Sequence, residues 1–422
     1  MPVKSIKIES LLYRIIIAVI GLICILSAYF FTKWSFANTI STRTEYREIA
    51  DFTTNLAPSD PQTHYASAVL HEKSFLPEDF QKSLAEFEKA VALSPNDYLL
   101  WLALGKSRER NGDAEGAEKA LRKAAELAPN YAQVQWTLGN ILLRRGKTAE
   151  AFTEIRKAVV SDAKYTDSAV STAWQSFDGD ISQIKQAVGD SAQTKSALAV
   201  FLAKQKRFDE AFETWNSLPP DAKKIAFKTN SDELYKQFIT AKKFRSALLV
   251  LSQISADEAQ NLAVAKISNG DFESGIKSQN AEIFEWKIND GTQPQVGLNE
   301  QNKHGGSRSL WLIFNSPDGK GFRAVSQTVA VEAGKTYEFE TFYKSELKAV
   351  STIRWEIVDA SDDKILASTE AVSVNADWTK LTTKFSVSAS TEAVMIRLAR
   401  VNCTSQICPI SGKVWFDDFS LR

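Results

Sequence analysis

The residues best suited to metal or nucleophilic chemistry are few, 3 histidines and 3 cysteines in a chain of 422 residues. His64 and His71 stand seven apart without the H-E-x-x-H arrangement that sets two imidazoles and a base on one helix face, so they read as surface or packing residues. The HGG run at 304–306 offers backbone N–H groups of the kind that hold an oxyanion, but no G-x-S-x-G nucleophile elbow accompanies it. RRGKT at 144–148 ends like a phosphate-binding loop, yet Gly139 lies seven residues before Gly146 where the motif needs five. Cys403 and Cys408, in NCTSQICP, are five apart and would close a short disulfide loop in an oxidising compartment, whereas zinc would need two further ligands nearby. Cys24 falls within an apolar run and reads as an inert thiol. No catalytic residue and no organic cofactor is expected.

One acidic pair has a physical motive. In the closing VWFDDFSL, strand alternation places Trp415, Asp417, Phe419 and Leu421 on one face, read here as the apolar one. A carboxylate there needs a partner, because unpaired buried charge is costly. Glu273, in NGDFESG, is the natural companion, and two carboxylates with nearby carbonyls suit a hard cation. The alternative is that Asp417 accepts backbone amides without metal.

The elements that must position these groups follow from the hydrophobic pattern. Leu11 to Phe31 is an apolar run carrying only Arg14 as charge, about the ~20 residues that cross a hydrocarbon core. Lys4, Lys7 and Arg14 precede or open it, while the residues beyond mix both signs, so the N-terminus is expected in the cytoplasm and the bulk of the chain in the periplasm or outside the cell. A cleaved signal peptide is the alternative. Over the whole chain 51 Lys+Arg balance 51 Asp+Glu, which leaves no global field for nucleic acid.

A period of 34 residues runs through the middle. Pro95 and Pro129, Leu104-Gly105 and Leu138-Gly139, and Ala90, Ala124 and Ala158 all recur at that interval, with Phe87, Leu121 and Ile155 as the large apolar residue between. The pattern resembles the tetratricopeptide repeat, matched at Trp101, Leu104, Gly105, Ala117, Leu121, Ala124 and Pro129. Units at about 64–97, 98–131 and 132–165 are strong, and degenerate ones surround Ala211 and Ala247. The resemblance implies stacked helical hairpins with a protein-binding groove lined by Lys106, Arg110, Trp136, Asn140 and Arg144. Such a ladder could hold an acidic peptide or a terminal carboxylate; a solvated helix face is the alternative.

Near residue 265 the period changes from about 3.6 to 2. Seven alternating runs, from SLWLIF at 309 to KVWFDDFSL at 413, imply an antiparallel β-sandwich of about eight strands. NGDFESG, HGGSRSLWL, the block from Val325 to Phe339 and VWFDDFSL resemble carbohydrate-binding modules of the family 4/9, galactose-binding-like jelly-roll type. That resemblance implies structural calcium at Glu273 and Asp417, and a saccharide ligand for which Tyr343, Trp378 and Arg397 are the candidates.

The expected architecture is a multidomain one: a cytoplasmic tail at 1–10, a transmembrane helix at 11–31, a linker at 32–62, an all-α repeat superhelix at 63–264 and an all-β jelly roll at 266–422. The function expected of it is that of a non-catalytic exported scaffold joining envelope protein partners to a saccharide, in exopolysaccharide or cell-wall assembly. A purely structural protein-interaction module is the second reading, and a polysaccharide-active enzyme the third.

Overall fold

The structure is a computed structural model that describes residues 11–74, 76–255, 262–317, 321–401 and 407–422. Its contacts divide the chain into two compact units, the first ending at Thr194 and the second running from Lys195 to Arg422.

The first unit begins with a 31-residue helix, α1 (Leu11–Ser41), whose first two-thirds is exposed and apolar. Its last turns bury Ala37 and Ser41, where the helix packs on α2 (Arg47–Leu56) and α3 (Pro61–Glu72). The helix therefore runs ten residues past the apolar segment read from the sequence. Three hairpins follow: α3 with α4 (Pro77–Leu93), α5 (Tyr98–Arg110) with α6 (Ala114–Leu127), and α7 (Ala132–Arg144) with α8 (Thr148–Ser161).

The repeated residues explain the stack. Ala90, Ala124 and Ala158 are fully buried, as are Leu121 and Ile155. A Cβ at Gly105 would meet Leu121 Cγ at 2.6 Å, and one at Gly139 would meet Ile155 Cγ1 at 2.7 Å, so glycine lets the two helices of the second and third hairpins approach this closely. Trp101 Nε1 donates to the Pro95 carbonyl at 2.8 Å, and Gln135 Nε2, one period later, donates to that of Pro129. The side chain changes while the bond to the helix end is kept. Beyond α8 the signature lapses but the helices continue, as α9 (Thr166–Ser176) and α10 (Ile181–Val188).

In the second unit, α11 (Ala192–Lys204, spanning the division) leads to α12 (Phe208–Asn216), α13 (Lys228–Thr240) and α14 (Phe244–Ile254), with Ala211 and Ala247 fully buried. Then comes a sandwich of two antiparallel sheets. One has the order β1 (Lys287–Ile288), β4 (Val325–Ala330), β9 (Ala393–Arg400), β6 (Ile353–Asp359), β7 (Ile365–Ser368). The other has β2 (Gln295–Asn299), β3 (Ser309–Ser316), β10 (Ile410–Leu421), β5 (Thr336–Ala349), β8 (Asn375–Ser386). The seven runs read from the sequence are β3 to β6 and β8 to β10; the short β1, β2 and β7 carry too little alternation to be seen. Trp355, at 0% exposure, centres an aromatic core with Trp286, Phe416 and Phe419.

Candidate functional sites on the repeats and the sandwich

On the repeats, α5 and α7 carry the expected groove residues one repeat apart. Arg110 is ion-paired with Glu72 of α3, and Arg144 with Glu109 of α5. Each cation thus meets an anion from the preceding repeat, and an incoming carboxylate must compete with it. Lys106 is half-buried; burial pushes its ammonium pKa down, and nearby Arg110 pushes it further. Asn140 Nδ2 donates to the Trp136 carbonyl at 2.9 Å within α7, and Trp136 stacks on Tyr165 with centroids 5.2 Å apart.

In the sandwich, alternation along β10 is broken by a bulge. Its register with β5 shifts between Asp417 and Ser420, and Asp418 sits at φ 52°. Val414 and Phe416 point into the core before the bulge, Phe419 and Leu421 after it. Trp415 and Asp417 therefore lie on the outer face of the sheet, opposite to the face read from the sequence, because one extra residue inverts the parity.

Asp417 is nonetheless fully buried, because the loop at 304–308 covers it. Its Oδ2 accepts from His304 N at 2.8 Å and Gly305 N at 3.1 Å, and its Oδ1 from Asp418 N at 2.9 Å. Burial pushes this carboxyl pKa up, against those three amides. Glu273 Oε1 accepts from Ser307 N at 2.6 Å and Arg308 N at 3.0 Å, and its Oε2 from the Ser307 hydroxyl. The Ser307 hydroxyl foremost, then the two amides, hold Glu273 below the usual carboxylate range. The two carboxylates that the sequence pairs thus grip successive parts of one loop: His304 and Gly305 of the HGG run donate to Asp417, and Ser307 and Arg308 just beyond it donate to Glu273. Among the described residues, no group of three or more His, Cys, Asp or Glu is arranged to hold a metal ion.

The latched loop lays the His304 ring flat on Phe342, centroids 3.8 Å apart, with Trp378 edge-on at 5.6 Å and Asp418 Oδ2 2.6 Å from Nδ1. Along the same outer face, one rung carries Gly297, Trp311, Trp415 and Lys344 on β2, β3, β10 and β5. Lys413 Nζ lies 5.7 Å from the Trp311 ring, and the buried Trp311 Nε1 and Trp415 Nε1 have no hydrogen-bond partner among the described residues.

Of the three saccharide candidates, Trp378 belongs to this face. Tyr343 does not: it is 3% exposed, in the core, with its hydroxyl accepting from Ser373 N at 3.3 Å. Arg397 lies on the opposite sheet, paired with Glu356 at 3.1 Å and Asp363 at 2.8 Å. Sequence reasoning missed Phe342, His304 and Trp415 as residues of this face. Alternation would have given Phe342, which lies between inward Thr341 and Tyr343; Trp415 was hidden by the bulge. Cys408 is buried, and Cys403 lies outside the described residues.

Residues 77–132 and 102–167 match the tetratricopeptide repeat family, and residues 264–400 match the carbohydrate binding domain family. The chain carries tetratricopeptide repeats and a carbohydrate-binding domain. These are typically non-catalytic kinds of domain. Among curated proteins it is similar to the peroxisomal targeting signal receptor of Saccharomyces cerevisiae, 28% identical over 105 residues, which is 25% of this chain and 17% of the receptor. The same receptor of Candida albicans is 29% identical over 102 residues, 24% of this chain and 17% of the receptor. The chain thus spans under a fifth of the length of these relatives. Among solved structures it is similar to one described as "CBM4 structure and function", at 19% identity, covering 37% of this chain and 97% of that one with a TM-score of 0.28. It is also similar to YrrB, a TPR protein with an unusual peptide-binding site, at 14% identity, covering 49% and 91% with a TM-score of 0.27. Finally, α1 is long and apolar enough to cross a membrane, a property that a signal sequence near an N-terminus shares.

Proposed function

We propose that this chain is a non-catalytic scaffold, held to a membrane by α1 with residues beyond it exported, that joins a protein partner on its repeats to a saccharide on its β-sandwich. The observation that carries the saccharide half is the outer face of β3, β10 and β5, where Trp311 and Trp415 share a rung and their buried indole N–H groups lack partners among the described residues. Indole rings pack on the apolar faces of sugars, and Trp311 is only partly buried; its N–H and that of Trp415 are buried, so each becomes a donor for a hydroxyl or ring oxygen only when neighbouring side chains move aside. A glycan array probed with the full chain in detergent tests it: retention of one class of polysaccharide supports the reading, and an empty array sinks it. Exopolysaccharide or cell-wall assembly is the process proposed.

On the repeats, the partner proposed is an acidic segment that exchanges with Glu72 and Glu109 for Arg110 and Arg144, beside Lys106. Replacing both arginines with Ala should abolish co-purification of the partner while the helices persist. Calcium is proposed at Glu273 and Asp417: a fully buried carboxylate whose described partners are amide dipoles, beside a second carboxylate on the same loop, is a donor set that suits a hard cation. A Cys403–Cys408 disulfide is proposed on the expectation of export.

A second reading, a protein-interaction module whose sandwich binds no sugar, is favoured by one observation: Trp415 is only 3% exposed and His304 already covers Phe342.

A further inference from the structure

The three helices that follow α1 are joined through two histidines whose surroundings contain more acceptors than a neutral ring can serve. His64 and His71 lie two turns apart on one face of α3, each 5% exposed. His64 Nδ1 is 2.5 Å from Glu86 Oε2 of α4, and its Nε2 is 3.0 Å from the Pro58 carbonyl in the α2–α3 connection. His71 Nδ1 is 2.8 Å from Asp79 Oδ1 of α4, and its Nε2 is 2.9 and 3.1 Å from the two oxygens of Asp51 in α2.

A carbonyl oxygen never donates, and an ionised carboxylate only accepts. A neutral imidazole carries one N–H, so in each ring one nitrogen would face an oxygen with lone pair against lone pair. An imidazolium carries two N–H groups and satisfies every contact. We infer that His64 and His71 form a proton-dependent staple, tying α3 to α2 on one side and to α4 on the other while both rings are charged, and loosening this helical joint when the rings lose their protons.

The other charged groups around the rings are accounted for. From α2, Arg47 pairs with Asp79, while Ser67 of α3 donates to Asp51 at 2.7 Å. From α4, Lys89 holds the other oxygen of Glu86 at 2.8 Å. From α1, Asn38 donates to Asp60 at 2.8 Å, and Glu72 is taken by Arg110 of α5. The Ser74 hydroxyl foremost, then His71, hold Asp79 at about 2, so it is an acceptor throughout the working range. Glu86 foremost pushes the His64 pKa up, and the Pro58 carbonyl adds to it, against burial and Lys89. A histidine raised in the folded state contributes stability that is full below the ordinary value of about 6.5 and is lost as pH rises through the folded value.

The test is amide hydrogen exchange on the full chain in detergent micelles at pH 6.0 and 8.5, corrected for intrinsic exchange rates. Protection across residues 47–93 should fall on the order of tenfold at the higher pH relative to residues 98–161, which hold no histidine. Equal protection at both pH values overturns the inference. In a His64→Gln/His71→Gln chain, the low protection should appear at both pH values; a pH response that survives in that chain also overturns it. Should that variant fail to fold, ring ¹⁵N spectra of the histidine-labelled wild type decide. Two protonated nitrogens in each of the two rings at pH 6.0 support the staple, and neutral single tautomers in both overturn it.

Discussion

Arg245 and Glu392 meet as a two-pronged ion pair, Nε to Oε2 at 3.0 Å and Nη2 to Oε1 at 2.9 Å, with the Arg245 backbone N–H adding a third bond to Oε2 at 3.2 Å. The pair ties α14 to the turn before β9 inside the second unit, so the last helical hairpin and the sandwich share an anchored contact. Tyr235 to Glu282, at 3.3 Å, and Lys242 to the Ser361 carbonyl reinforce it.

Breaking that pair should therefore be felt by the sandwich. Burial pushes Glu392 up, but Arg245 more than offsets it and holds the carboxyl below the usual range. Arg245→Met should lower the stability of the second unit by about 1–2 kcal/mol, less than a fully buried pair because the arginine is partly wet. The loss should shrink in acid, since a carboxyl with a lowered pKa contributes in full above its unfolded value and loses that contribution as pH falls through the folded one. Denaturant midpoints at pH 7 and pH 3 check it.

Glu118 is the electrostatic hub of the repeats. It is 4% exposed and receives Arg122 at 2.8 Å, Lys147 at 2.8 Å and Arg145. Against its burial, Lys147 and Arg122 hold the carboxyl at about 2. Glu118→Gln should cost roughly 2 kcal/mol, because three cations across two repeats lose their shared anion while remaining partly solvated. In the wild type this contribution should persist from pH 7 to about 4.5 and vanish toward pH 2, readable by helical circular dichroism in a pH series.

Gly139 should not tolerate a methyl group. Its Cβ would lie 2.7 Å from Ile155 Cγ1 and 3.1 Å from the Ala151 carbonyl, so Gly139→Ala should destabilise the first unit by about 1–3 kcal/mol despite the better helix propensity of alanine. A melt against wild type measures it.

Trp311 and Tyr343 should separate binding from folding. Trp311→Ala should cost glycan retention with a small change in melting, whereas Tyr343→Ala, in the core, should lower the melting temperature by several degrees. Equal effects on both readouts would return the outer face to a packing role.

Calcium should raise the melting temperature of the second unit. At about 100 times its dissociation constant a ligand adds about 2.7 kcal/mol, or roughly 5 °C for a unit of this size. Asp417→Asn should remove most of that response. Identical curves in calcium and in chelator would leave the loop latched by amide hydrogen bonds alone.

The features legible in the sequence are those set by local periodicity. A 34-residue recurrence of small, large and helix-ending residues specifies the hairpins, because each hairpin must bury the same stripe against its neighbour. Two-residue alternation specifies long strands such as β5, because one face of a sheet meets the core. What tertiary structure alone decided is where charges and faces end up. Arg110 and Arg144 have partners 38 and 35 residues away, Glu72 and Glu109, and no pattern within a repeat names them. The parity of Trp415 and Asp417 was inverted by one bulged residue at Asp418, a backbone event that side-chain alternation does not encode. His64 and His71 read as packing residues until α2 and α4 closed around them with acceptors on both sides, because a hydrogen bond's meaning depends on both its ends and the sequence displays only one.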